Sequence, residues 1–223
     1  MKAAVIDEYG PADVLRVREV PRPAPRPDQI LIEVHASSVN PIDWKIRGGA
    51  LSLLTGRSFP MILGYDVSGR VVEAGAAVAR FRVGDLVYAR SDSKTGRAYA
   101  QYVAVGEGAA ALKPKNASHE EAAAVPLAAL TSFQALRDLG RIEKGGRVLV
   151  IGASGGVGVY AVQIAKALGA HVTAVCGTDN VALVRDLGAD VVIDYRKESG
   201  LGASDSYDII FDAVASQGFF AVR

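Results

Sequence analysis

The stretch RVLVIGASGGVGVYAVQIAKALGAHVTAVCGTD (residues 147–179) decides how the chain folds. RVLVIG (147–152) reads as a strand with no polar face, as expected where a sheet is covered on both sides. Gly152-Ala153-Ser154-Gly155-Gly156-Val157-Gly158 follows it, and Val157, Ala161, Ile164, Ala165 and Leu168 then form one helical stripe. HVTAVC (171–176) is a second strand. A helix to Leu187, DVVID (190–194) and YDIIFDAV (207–214) continue the alternation. That order predicts parallel βαβ units and an incomplete Rossmann domain, a doubly wound parallel sheet, over 141–223.

The glycines have a physical purpose in such a unit. A phosphate bridge must approach the backbone closely, and a Cβ would block it. The helix that follows offers N–H groups and a positive dipole end to the anion. Ser154, Gly155, Gly156, Val157 and Gly158 are therefore the expected dinucleotide contacts, with a purely structural turn as the alternative. Gly158 is expected to let the helix pack tightly on its strand. The second strand ends at Val175-Cys176-Gly177, without the acid that would bond the ribose hydroxyls of NAD. Thr178 and Asn180 are small polar groups suited to a 2′-phosphate. Asp179 complicates that choice, unless it serves only as the first-turn acid of the next helix. Tyr195 either closes over the adenosine end or packs on the surface. The expected cofactor is NADPH, ahead of NADH.

Residues 1–115 have another rhythm. KAAVID (2–7), LRVREV (15–20), ILIEVHASSV (30–39), DVSGRVVEAG (66–75), LVYA (86–89) and YVAV (102–105) read as short strands between turns, the pattern of an irregular all-β barrel. PRPAPRP (21–27) must run extended, as a rigid connector or an SH3-type ligand. Residues 116–140 form a linking helical segment. Ser118 with Glu121 makes a capping box, and Pro126 divides the helices that run to about Leu139.

Composition narrows the function class. Of 223 residues, 50% are hydrophobic and 22% charged, with Lys+Arg 25 against Asp+Glu 24, a net charge of +1. This is ordinary for a globular chain and lacks the basic excess of a nucleic-acid binder. The single cysteine, Cys176, rules out an intrachain disulfide and a four-cysteine zinc site. The N-terminus turns acidic at Asp7 and Glu8, so no signal-peptide core is expected. AAAVPLAAL (122–130) is far too short for a membrane span. The expected compartment is the cytoplasm, with no membrane partner.

Read as Gly152-x-x-x-Gly156-x-Gly158, the loop also suits the short-chain dehydrogenases. Those need a downstream Tyr-x-x-x-Lys; here Tyr160, Tyr195 and Tyr207 are followed four places on by Ile164, Ser199 and Phe211. The chain better resembles the medium-chain dehydrogenase/reductase superfamily, and within it the zinc-free quinone oxidoreductase (zeta-crystallin-like) branch. The marks are ASSVNPIDWKIRGG (36–49), ILGYDVSGRVVEAG (62–75), PLAALTSFQAL (126–136), GASGGVG (152–158) and LGADVVIDY (187–195). The resemblance implies a fold of α/β plus all-β type: a GroES-like β-barrel, then a Rossmann domain, with the active site in the cleft between them.

Zinc-dependent relatives hold their metal with Cys, His and Cys. At the matching places stand Asn40, Tyr65 and approximately Leu127, so the resemblance implies no zinc. Without that Lewis acid, the implied chemistry is hydride transfer to a quinone or an α,β-unsaturated carbonyl. Asn40, Lys45 and Tyr65 are the implied catalytic residues, donating to the oxygen on which charge develops. Asp43 is expected to orient Lys45 or a backbone turn, and Thr131 to contact the nicotinamide and ribose. The alternatives are a turn-shaping Asn40, a solvated Lys45, a packing Tyr65 and a Thr131 hydroxyl bonded to its own helix. His35, His119 and His171 read as isolated, with no metal or acid–base role. Family chains complete a six-stranded sheet beyond the fourth strand, so the resemblance implies a C-terminal truncation. It also leaves strand 207–214 as an apolar edge and a homodimer as one option. Two other readings stand beside the reductase: a non-enzymatic NADPH-binding or structural protein, and an inactive fragment.

Overall fold

The computed structural model describes residues 1–197 and 206–214; the parts of the expected Rossmann region at 198–205 and 215–223 lie outside them. The chain divides into two compact units, Met1–Leu127 and Ala128–Arg223. The division falls inside the segment 116–140.

The first unit is built from eight short strands: β1 (Lys2–Ile6), β2 (Arg16–Glu19), β3 (Gln29–Ser37), β4 (Met61–Ile62), β5 (Asp66–Ala74), β6 (Leu86–Arg90), β7 (Tyr102–Gly106) and β8 (Ala110–Leu112). They form an antiparallel five-stranded sheet in the order β7-β3-β5-β6-β8 and a three-stranded sheet in the order β2-β1-β4. Alternate residues point inward. Ile30 and Ile32, Val67 and Val71, Val87 and Ala89, and Val103 and Val105 thus make one buried cluster. The proline run 21–27 carries neither helix nor strand. In β3 the register shifts between Val34 and Ala36, opposite Gly69 and Ser68 of β5. A Cβ on Gly69 would lie 1.9 Å from the Glu33 carbonyl oxygen, so the two strands approach there only because glycine has none.

Three α-helices belong to this unit, α1 (Pro41–Arg47), α2 (Ser52–Thr55) and α3 (His119–Ala123), and α4 (Pro126–Phe133) runs from its end into the second. The strand reading of residues 1–115 did not anticipate α1 or α2. The start of α1 is nonetheless written locally. Pro41 stands where its missing N–H costs nothing, and the Asp43 carboxylate accepts the Asn40 N–H at 2.7 Å. Ser118 and Glu121 close the expected capping box of α3: the Glu121 N–H donates to Ser118 Oγ at 3.1 Å and the Ser118 N–H to Glu121 Oε2 at 2.7 Å. Beyond α4 the coil widens into a π-helical stretch, Gln134–Leu139.

The second unit alternates as read: β9 (Arg147–Ile151), α5 (Gly158–Ala167), β10 (His171–Cys176), α6 (Val181–Asp186), β11 (Val191–Asp194) and β12 (Ile209–Asp212). All four strands are parallel, in the order β11-β10-β9-β12, which is the 3-2-1-4 part of the doubly wound order. Ala161 and Ala165 of the predicted stripe are fully buried, with Val162 beside them, against Val148, Val150, Val172 and Ala174. Among the described residues β12 forms one edge, yet Ile209 and Phe211 are partly covered by the same core. No helix of the described residues is long and apolar enough to cross a membrane.

Substituting Gly69→Ala is expected to lower the unfolding free energy by about 1–3 kcal/mol, the usual cost of forcing extra volume into a packed contact. Denaturant titration checks this, with unfolding midpoints that match wild type as the contrary result.

Candidate functional site

The glycine turn leaves β9 at Gly152, whose φ of +74° favours glycine. A Cβ on Gly158 would lie 2.1 Å from the Gly152 carbonyl oxygen and 2.7 Å from Ala153 Cα, so this glycine lets α5 sit against the turn. Gly156 is different. A Cβ there would meet nothing within 4 Å, and the residue is exposed beside the first turn of α5. The Gly155 N–H is tied to the Gly152 carbonyl at 3.0 Å, and the Val159 N–H donates to the Gly155 carbonyl at 3.0 Å. The result is a bare-backbone cradle at a helix N-terminus, which suits a pyrophosphate. Ser154 and Val157 lie half-buried in the same turn. Ser132 on α4, which the sequence reading passed over, is fully buried and its hydroxyl reaches the Val157 carbonyl at 2.8 Å. Thr131, one residue earlier, is exposed.

The second corner is assembled by register. Cys176 at the end of β10 pairs with Asp194 at the end of β11, so the turns that follow the two strands leave the sheet at the same edge. A Cβ on Gly177 would lie 3.2 Å from Tyr195 Oη and 3.6 Å from Arg196 Nε, so these two side chains lie across the backbone where the chain leaves β10. Tyr195 is 59% exposed. Thr178 on the turn after β10 faces Asp194 and, first among several neighbours, holds that carboxyl below the usual range. Arg196, which the sequence reading did not single out, supplies the cation. Its Nη1 lies 3.3 Å from Asp179 Oδ2, and the Tyr195 phenol and Asp179 both favour its charged form. The signal was present as Tyr-Arg-Lys after the third strand of the unit. Cys176 is buried, and burial raises its thiol pKa, with Asp194 adding to the effect.

In the first unit, Asn40 caps α1 and turns its amide inward. Its Nδ2 donates to Asp66 Oδ2 at 2.9 Å and to Ser38 Oγ at 3.3 Å. Asp66 is 0% exposed and also accepts the Ser38 hydroxyl at 3.0 Å and the Leu127 N–H at 2.9 Å. Burial raises the Asp66 pKa against these hydrogen bonds. Asp43 is 2% exposed; its carboxylate accepts the Asn40 N–H and the Tyr99 hydroxyl, the latter at 2.9 Å, and burial again raises its pKa. Asp43 thus orients the backbone turn, one of its two expected tasks. The Tyr65 hydroxyl donates to the Lys94 carbonyl at 2.6 Å. Lys45 is exposed, with its ammonium 5.7 Å from the centre of the Trp44 ring.

Among the described residues no group of three His, Cys, Asp or Glu side chains is placed to hold a metal ion. The histidines are less isolated than the sequence suggested. The His35 and His119 rings meet with centroids 4.4 Å apart and planes inclined by 58°, and His119 Nδ1 lies 2.8 Å from Ser68 Oγ. Burial lowers the His119 pKa.

Comparison with known proteins covers both units. Residues 26–130 match the alcohol dehydrogenase GroES-like domain and residues 156–222 the zinc-binding dehydrogenase family. A chloroplastic quinone-oxidoreductase homolog of Spinacia oleracea is 46% identical over 86% of this chain and 60% of its own length. The structure of a quinone oxidoreductase from Coxiella burnetii superimposes with a TM-score of 0.87 at 37% identity, covering 96% of this chain and 68% of that one. The Escherichia coli quinone oxidoreductase complexed with NADPH superimposes with a TM-score of 0.77 at 32% identity, over 89% of this chain and 60% of that one. The chain spans about 60% of the length of the curated relatives it matches first.

The two buried carboxyls give a pH test. A folded-state pKa raised above the ordinary aspartate value makes a contribution to stability that is complete below that value and is lost as pH rises through the folded pKa. Asp66→Asn removes the ionisation. Relative to wild type, the variant should therefore gain as pH rises through the acidic range, by up to about 1.4 kcal/mol per pH unit. Chemical denaturation across that range measures the difference, and a constant gap contradicts it.

Proposed function

We propose that this chain, which belongs to the quinone oxidoreductase branch of the medium-chain dehydrogenase/reductase superfamily, binds NADPH and reduces a conjugated acceptor, a quinone or an α,β-unsaturated carbonyl. The observation that carries the reading is the open space in front of Gly156 at the mouth of α5. Gly155, Gly156 and the first turn of α5 would hold the pyrophosphate. Asn180, Tyr195 and Arg196 would take the 2′-phosphate. The NADPH complex of the Escherichia coli relative supports that choice of cofactor.

When bound, the dihydronicotinamide supplies a hydride; the protein must bind, orient and stabilise charge. The residues speak against a catalytic zinc. Asn40 directs its amide to Asp66 and Ser38, and Tyr65 directs its hydroxyl to Lys94. The acceptor must then be electrophilic by its own conjugation. Hydride adds to a ring or β-carbon, and the carbonyl oxygen gains charge until a proton arrives. Of the three catalytic candidates, Lys45 is the one we assign to that oxygen, because its ammonium points to solvent on α1. Asn40 and Asp43 hold the turn from which α1 starts, and Tyr65 shapes the wall.

A second reading, dinucleotide binding without turnover, is favoured by the same inward commitment of Asn40 and Tyr65. Spectrophotometric NADPH consumption with a quinone and with an enal separates the two. Gly156→Val should weaken NADPH binding at least about tenfold, measured by fluorescence, since the new side chain fills the phosphate gap. Its melting temperature should match wild type, because the space is open. Tight binding in that variant refutes the loop assignment. A chelator should leave turnover unchanged, and a loss restored by zinc refutes the metal-free reading.

A further inference from the structure

We infer that Ser132 is a positioning residue for the dinucleotide: its hydroxyl holds and polarises the Val157–Gly158 peptide at the mouth of α5. The inference rests on the dinucleotide reading of this unit. Ser132 is 0% exposed, and a serine so deeply buried is uncommon. Its Oγ lies 3.1 Å from the Ala128 carbonyl oxygen, the acceptor that any serine inside a helix can reach. It lies closer, at 2.8 Å, to the Val157 carbonyl oxygen, 25 residues on in the chain. A hydroxyl has one proton to donate, and the shorter contact has the better claim on it.

Val157 is the last residue before α5, and its carbonyl oxygen already accepts the Ala161 N–H at 3.0 Å. That bond belongs to the helix; the Ser132 hydroxyl is a second donor from outside it. In a trans peptide the C=O and the N–H point in opposite directions. A donor on the Val157 oxygen therefore draws electron density away from the Gly158 N–H on the far side of the same peptide. Gly158 is the first residue of α5, where an N–H has no acceptor within the helix. That N–H is one of those the first turn offers to an anion. Hydroxyl, carbonyl, N–H and phosphate thus form one chain of hydrogen bonds, and the links of such a chain strengthen one another by about 10–30% each. Removing the hydroxyl leaves the Val157 oxygen its helical donor, so no buried acceptor is orphaned and the fold tolerates the loss.

Calorimetry of the full chain with NADPH and with NADH tests the assignment. Ser132→Ala should weaken both nucleotides by the same factor, about two- to fourfold, because the pyrophosphate is common to the two. Ser132→Thr keeps the hydroxyl and should restore both affinities. Amide NMR reads the peptide itself. NADPH should move the Gly158 amide proton downfield in wild type and in Ser132→Thr, and by less in Ser132→Ala. Should Ser132→Ala fail to fold, Ser132→Cys, with a weaker donor in the same place, carries the comparison. Wild-type affinities with an unchanged Gly158 shift in the variant show a serine that only ties two helices together, and overturn the inference while the dinucleotide reading stands. A loss confined to one nucleotide overturns it too, since the pyrophosphate is then not the group affected. Heat with neither nucleotide in wild type removes the dinucleotide reading, and the inference with it.

Discussion

Three parallel strands held in register are the constraint on which the candidate cofactor site depends. Ile151 stands beside Val175, and Cys176 beside Asp194, so β9, β10 and β11 end at the same edge of their sheet. The glycine turn, the Thr178 turn and the Tyr195–Arg196 loop therefore emerge together, though they lie far apart in the chain. The pairing also explains the burial pattern. Val148, Val150, Val172 and Ala174 are fully buried, and a slip of one residue would exchange faces along a whole strand. The apolar run that makes the sheet thus also places the polar groups at its end.

The first unit solves another problem, that of keeping two carboxyls out of water. Asp66 accepts from Asn40, Ser38 and the Leu127 N–H, whereas Asp43 accepts a backbone N–H and Tyr99 on Oδ2 alone and its buried Oδ1 has no hydrogen-bond partner. Buried acids without such partners would be costly. These bonds make Asn40 part of the framework and fix the start of α1, which carries Lys45 outward. Asn40 and Tyr65 here serve the internal hydrogen-bond network of the first unit.

Much of this was legible in the sequence because period and punctuation carry strong signals. The six β-rich runs in residues 1–115 became strands with ends displaced by a residue or two, since alternation against a core fixes them. HVTAVC at 171–176 and the box of Ser118 and Glu121 were read as they stand. The helix at Pro41–Arg47 was not foreseen, because it lies between strands and uses Asn40 and Asp43 in place of the commoner Ser and Glu. The π-helical stretch Gln134–Leu139 has no compositional mark that separates it from an α-helix. Side-chain commitments were the least visible. Only coordinates show that Asn40 donates to Asp66, that Arg196 faces Asp179, and that the His35 and His119 rings meet. Each pairing joins residues from separate turns or strands, and spacing along the chain does not encode it.

The placement of Cys176 bears on the chemistry proposed for the chain. Quinones and enals are Michael acceptors, and they alkylate a cysteine through its thiolate. The only thiol in the sequence lies 2% exposed at the end of β10, and burial keeps it protonated. Under the proposed activity, this sulfur would be withheld from the acceptors that the chain binds.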